Sequence, residues 1–223
     1  MTAGDVAARV EVVRERIAAA AQRAGRDAAD VTLVAATKTV ETARVAELLD
    51  AGVRDVGENR AQELLAKAPE LARQPAPPRW HFVGRLQRNK VAGLAPWVSL
   101  WQSVDREPLG VAIARRAPGA AVLVEVNLGE ESQKGGCAPA HVPELVDALR
   151  GQGLEVRGLM TVHPQAGDAR RWFASLHSLG ARLGLPDLSM GMSDDYELAV
   201  EEGATIVRVG RALFGEREGA ARP

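Results

Sequence analysis

The chain alternates between two hydrophobic patterns. Short apolar runs rich in β-branched residues are each followed by a polar step, then by a segment whose apolar residues recur every three or four positions. The clearest opening run is Val31-Thr-Leu-Val-Ala-Ala-Thr-Lys38. It lacks the every-second-residue alternation of a half-exposed strand, which predicts a parallel strand covered on both faces. Thr39 to Thr42 then start a helix with Val45, Leu48 and Leu49 on its apolar face and Gly52 behind it. Ahead of this unit, Val6, Val10, Val13, Ile17, Ala20 and Ala24 step around one face of an amphipathic helix within residues 1–25.

The same reading places further strands at Val53–Gly57, Trp80–Val83, Val98–Trp101, Ala121–Val126, Val156–Met160, Leu188–Met190 and Thr205–Val209. Helices are predicted over Ala61–Lys67, Asn89–Leu94, a stretch ending at Arg116, Ala140–Arg150, Ala169–Leu183 and Glu197–Glu201. Pro69 to Pro78 holds four prolines and is expected to be a surface loop, and Asn127 to Pro139 a polar loop. Residues 216–223 are expected to form a flexible tail. Strand then helix, eight times over, predicts a (β/α)8 TIM barrel in a single domain spanning 1–223, with the N-terminal helix capping or flanking it. An open doubly wound sheet is the alternative.

The barrel reading assigns chemistry to strand ends, because such barrels keep their sites at the C-terminal mouth. Lys38 ends the first strand. A partly desolvated lysine there would favour its neutral amine, a nucleophile able to form a Schiff base, whereas a solvated loop lysine would not. The loops after strands seven and eight, where barrels commonly bind phosphate, are Ser189-Met-Gly-Met-Ser-Asp-Asp-Tyr196 and Val209-Gly-Arg-Ala-Leu-Phe-Gly215. Gly191 and Gly210 give room, Ser193 offers a hydroxyl at an N-cap position, and the N–H groups of Gly210 and Arg211 open a further helix. Ser193 would serve equally as an ordinary cap, and Asp194 and Asp195 beside it disfavour a phosphate. Arg208 interrupts an apolar strand and therefore needs an acceptor: Glu58, Glu125 or a bound cofactor.

Composition narrows the partners. With 28 basic and 29 acidic residues the net charge is -1, which gives no bulk attraction for nucleic acid or a membrane surface. The single cysteine, Cys137, excludes an internal disulfide and fits a reducing compartment. No apolar run reaches membrane-spanning length and the first residues lack signal-peptide order, so a cytoplasmic protein is expected. The four histidines and Cys137 show no metal-ligand spacing. His81, between Trp80 and Phe82, is expected to be a hydrogen-bonded core residue. Cys137 is expected to be unreactive, and Lys134 an exposed lysine.

Six segments in order carry a family likeness: Ala-Ala-Thr-Lys38, Gly57-Glu-Asn-Arg60, His81-Phe-Val-Gly-Arg-Leu-Gln-Arg-Asn-Lys90, Gly158-Leu-Met-Thr161, Ser189-Met-Gly-Met-Ser-Asp194, and Val207-Arg-Val-Gly210 with Leu213-Phe-Gly215. From Val31 to Gly215 the chain resembles the pyridoxal phosphate homeostasis proteins. The resemblance implies the barrel of the alanine racemase N-terminal domain, with pyridoxal 5'-phosphate (PLP) carried on Lys38. Asn59 would lie near the cofactor ring. Met192, Ser193 and the segment Arg208, Val209 and Gly210 would contact the ring and phosphate, with the arginine facing the pyridine nitrogen. Many relatives have threonine after that glycine; Arg211 stands there here, replacing a hydroxyl with charge or leaving only the backbone N–H as the contact.

The resemblance further implies a carrier in intracellular PLP homeostasis, with PLP-dependent apo-enzymes as candidate recipients. A monomer is expected, since no room remains for the second domain that related racemases add. An amino-acid racemase is the alternative, but it needs a base on each face of the substrate, and the one tyrosine, Tyr196, falls at the phosphate loop. An arginine opposite the pyridine nitrogen also disfavours its protonation and weakens the electron sink. A Schiff-base aldolase would place its lysine inside a later strand.

Overall fold

The computed structural model describes residues 3–131, 133–164 and 167–215. Its centre is a closed barrel of eight parallel strands in chain order. They are β1 (Thr32–Ala36), β2 (Asp55–Glu58), β3 (Arg79–Phe82), β4 (Val98–Val104), β5 (Ala121–Glu125), β6 (Glu155–Met160), β7 (Asp187–Ser189) and β8 (Ile206–Val209). The ring shuts where β1 pairs with β8, with Val34 opposite Arg208 and Ala35 opposite Val209. Between the strands run α2 (Thr42–Asp50), α3 (Ala61–Leu71), α4 (Val91–Leu94), α5 (Glu107–Arg116), α6 (Val142–Gly151), α7 (Ala169–Leu183) and α8 (Tyr196–Glu201), with α9 (Arg211–Phe214) after β8. The open-sheet alternative is thereby excluded.

The predicted N-terminal helix is α1 (Ala3–Arg23), and it flanks the barrel instead of capping it. Val6, Val10, Val13 and Ile17 are buried as it packs against α2, α8 and α9 over the β8–β1 seam. The expected tail from residue 216 lies outside the described residues. Pro69 falls inside α3, so the predicted loop begins later. It is tolerated because the helix ends at Leu71, and Leu65, whose carbonyl loses its donor, lies on the exposed side.

Two apolar layers result. The larger lies between strands and helices, and a smaller one of Val34, Leu100, Leu123, Met160 and Ile206 fills part of the barrel's interior. The rest of the interior is polar. Arg208 donates to Ser189 Oγ at 2.6 Å, Ser189 Oγ donates to Gln102 Oε1 at 2.6 Å, and Gln102 Nε2 meets His81 Nδ1 at 2.6 Å. His81 Nε2 reaches Asp55 Oδ1 at 3.0 Å, and Asp55 also pairs with Arg79. Guanidinium groups only donate, so the chain has one direction and fixes His81 as its Nε2–H tautomer. His81 is thus a bonded core residue.

Candidate functional site

The C-terminal mouth gathers most of the residues singled out above. β1 ends at Ala36, so Lys38 stands two residues beyond it, in a turn. Lys38 is exposed, because Thr37 takes the buried position and the chain turns outward after it. Thr37 Oγ1 donates to Glu58 Oε1 at 2.7 Å, and Lys67 Nζ reaches the same oxygen at 2.6 Å. Burial pushes the Glu58 carboxyl up, against the pull of those two donors. Glu58 is therefore committed to Lys67 and is not the partner of Arg208.

Asn59 follows β2, half-buried at the rim, and its Oδ1 is enclosed with no hydrogen-bond partner. Its position is set by close backbone approach: a Cβ on Gly84 would stand 2.0 Å from the Asn59 carbonyl oxygen, so only glycine fits there. An enclosed, unsatisfied amide at a barrel mouth is the kind of group a ligand would complete.

Ser193 does not cap the helix behind it. The N-cap of α8 is Asp195, and the Ser193 hydroxyl instead accepts the Gly210 N–H at 3.1 Å. Asp195 Oδ1 accepts the Met192 N–H at 2.6 Å, while the Met192 side chain is exposed. Gly191 makes this bend with φ of 88°, and a Cβ there would lie 2.5 Å from Ala199. The turns after β7 and β8 are therefore joined, and they lie beside the Lys38 turn, since a Cβ on Gly210 would sit 3.2 Å from the Ala36 carbonyl.

Arg208 is buried in β8. Neither Glu58 nor Glu125 bonds it. Its donors go to Ser189 Oγ and, at 2.8 Å, to the Thr161 carbonyl, while Val209 beside it is core. Burial brings the guanidinium down to about 10, against the pull of Glu125 and Asp195. Glu125, at the end of β5, is pushed up to about 7 by burial first and by Asp105 second, with Arg208 and Arg85 opposing. Arg211 is exposed and pairs with Asp194 of the neighbouring turn, so its side chain is engaged by a carboxylate and adds a second link between the two turns.

Several other residues fall elsewhere. Lys134 is paired rather than simply exposed, with Glu131 at 2.6 Å and the His163 carbonyl at 3.2 Å. Burial raises the Cys137 thiol, with Asp105 and Glu144 adding to it, which disfavours the thiolate. Tyr196 is buried in the outer layer, near Arg16 of α1. An open groove of about 930 Å³ lined by Gln87, Arg88, Asn89, Arg106 and Arg115 contains none of the predicted site residues. Among the described residues there is no cluster of His, Cys, Asp or Glu suited to a metal ion. Gln102, Ser189 and Lys67 were not anticipated in these roles. Lys67 could have been, since it interrupts the apolar stripe of Leu64, Ala68 and Leu71.

Comparison with known proteins agrees with the barrel fold. Residues 10–218 match the model of the alanine racemase N-terminal domain. The pyridoxal phosphate homeostasis protein of Pseudomonas aeruginosa is 44% identical, over 96% of this chain and 96% of that one. This chain belongs to the pyridoxal phosphate homeostasis family. The Aquifex aeolicus member is 43% identical over 94% of this chain and 97% of its own. The structure of PipY from Synechococcus elongatus with PLP bound superposes with a TM-score of 0.82 at 32% identity, covering 94% of this chain and 100% of that one.

Proposed function

We propose that this chain holds PLP as a Schiff base on Lys38 and serves in PLP homeostasis, buffering the free cofactor or delivering it to apo-enzymes. The observation that carries the reading is the junction at the mouth: the Lys38 turn, the joined Ser193–Gly210 turns and the orphaned Asn59 amide lie on neighbouring strands. When bound, the cofactor supplies an aldehyde that condenses with a primary amine and releases one water. Lys38 would provide the amine, Asn59 a hydrogen bond near the ring, and the Ser193 hydroxyl, held in place by the Gly210 N–H, would form with the Arg211 N–H a cradle for the phosphate. Met192 would contact the ring and Arg208 would stand near its pyridine nitrogen, with Val209 next to it in the core. The Arg211 side chain, engaged with Asp194, leaves its backbone as the contact.

The carrier reading is favoured over racemisation by the placement of Tyr196: its backbone adjoins the mouth turn, but its side chain is buried in the outer core with its hydroxyl near Arg16 of α1. The family relatives are named for homeostasis. Among the described residues no helix is long and apolar enough to cross a membrane, and a cytoplasmic location is part of the proposal. A monomer with no nucleic-acid partner completes the proposal. The test is spectroscopic: purified chain mixed with PLP should show a visible imine band that borohydride bleaches and Lys38→Ala abolishes without unfolding the protein. A band unchanged by Lys38→Ala would refute the assignment. Robust racemisation of alanine or serine would replace the carrier reading with the enzymatic one.

A further inference from the structure

Lys38 is the second residue of a four-residue turn held from outside. The Val40 N–H closes the turn on the Thr37 carbonyl at 3.0 Å. Thr39, third in the turn, has φ of 62°. A positive φ at that position is the type II pattern, normally filled by glycine, and a β-branched residue there is strained. Such strain survives only where the surroundings enforce it, and it gathers at functional sites.

The enforcement comes largely from one face of α3. Glu63 Oε2 accepts the Thr39 N–H at 2.6 Å. Lys67, one helical turn further, donates to the Thr37 carbonyl at 2.8 Å and to the fully buried Glu58 at 2.6 Å. Glu58 in turn accepts the Thr37 hydroxyl at 2.7 Å. The residues before and after Lys38 are thus both anchored by side chains of the same helix, four positions apart, while the Lys38 side chain extends from between them.

We propose that Glu63 and Lys67 are positioning residues for Lys38. They fix the turn so that its amine meets an aldehyde at the mouth in one orientation, an inference that rests on the Schiff-base reading above. A turn released from this clamp would populate several conformers, and apparent affinity falls by the fraction that remains competent. Glu63 is the better target because its side chain is partly exposed, whereas removing Lys67 leaves a buried carboxylate unpaired.

The experiment uses the full chain, titrated with PLP and followed by the imine band, with hydrogen exchange of the Val40 amide measured on the ligand-free protein. Glu63→Ala should weaken PLP binding about tenfold, the scale of one hydrogen bond to a charged group. It should also slow imine formation and speed Val40 exchange, with the thermal midpoint near that of the parent chain. Glu63→Gln keeps an acceptor oxygen and should stay within about threefold on both readouts. Parent-like affinity, imine rate and exchange in Glu63→Ala, beside an intact Lys38-dependent imine in the parent, would overturn this inference alone. Equal losses in the alanine and glutamine variants would overturn it too. A parent chain that forms no imine through Lys38 would overturn the proposed function and this inference together.

Discussion

Glu125 offers the sharpest quantitative test of the mouth's electrostatics. Its ordinary value of 4.5 is raised to about 7 by burial, then by Asp105, with Arg208 and Arg85 already opposing. A carboxyl held above its unfolded value favours the folded state fully at pH below about 4.5, and that contribution is lost as pH rises through about 7. The gap of about 2.5 pH units, at ~1.36 kcal/mol each, corresponds to ~3 kcal/mol. Glu125 is only partly covered, so solvent screening brings the expected effect to about 1–2 kcal/mol. Glu125→Gln carries no charge at any pH and should therefore gain stability relative to the parent as pH rises. Urea unfolding of both proteins at pH 5 and pH 8 measures this, with the variant ahead by about 1–2 kcal/mol more at the higher pH. In a chain of this size that is a rise in melting temperature of about 2–8 °C. A stability difference that is the same at both pH values, or a variant less stable at pH 8, would refute the upward push on the Glu125 carboxyl.

Ser193→Ala removes the hydroxyl that accepts the Gly210 N–H, and should weaken PLP binding by about 1 kcal/mol, roughly fivefold, in an imine titration. Unchanged affinity would leave Ser193 as a brace between two turns and nothing more. Gln102→Leu cuts the interior chain between His81 and Ser189 and strands a polar group on each side, so denaturant unfolding should show a loss of about 2–4 kcal/mol. A loss below about 1 kcal/mol would mean that the chain relaxes around the break.

The barrel was legible because its determinants are local. Eight apolar runs of strand length, each followed by a helical period, leave few topologies open, and a closed parallel sheet buries every run on both faces. The positions of Lys38 and of the loops carrying Ser193 and Gly210 just beyond strands were legible as well, since strand ends and glycines are properties of the chain itself; that Ser193 joins the two loops and does not cap a helix was not. The partners of these residues were not. Whether Arg208 meets Glu58, Glu125 or Ser189 depends on which strands become neighbours and on the register between them, and Ser189 stands opposite Ile206 only through the β7–β8 pairing. Likewise, Lys67 reads in sequence as a lysine on a helix, and only the packing of α3 beneath the β1 turn makes it a donor to the Thr37 carbonyl. Periodicity specifies which face of an element is buried. Hydrogen-bond pairing across the mouth is set by distances of about 3 Å between residues far apart in the chain, and these exist only in the folded molecule.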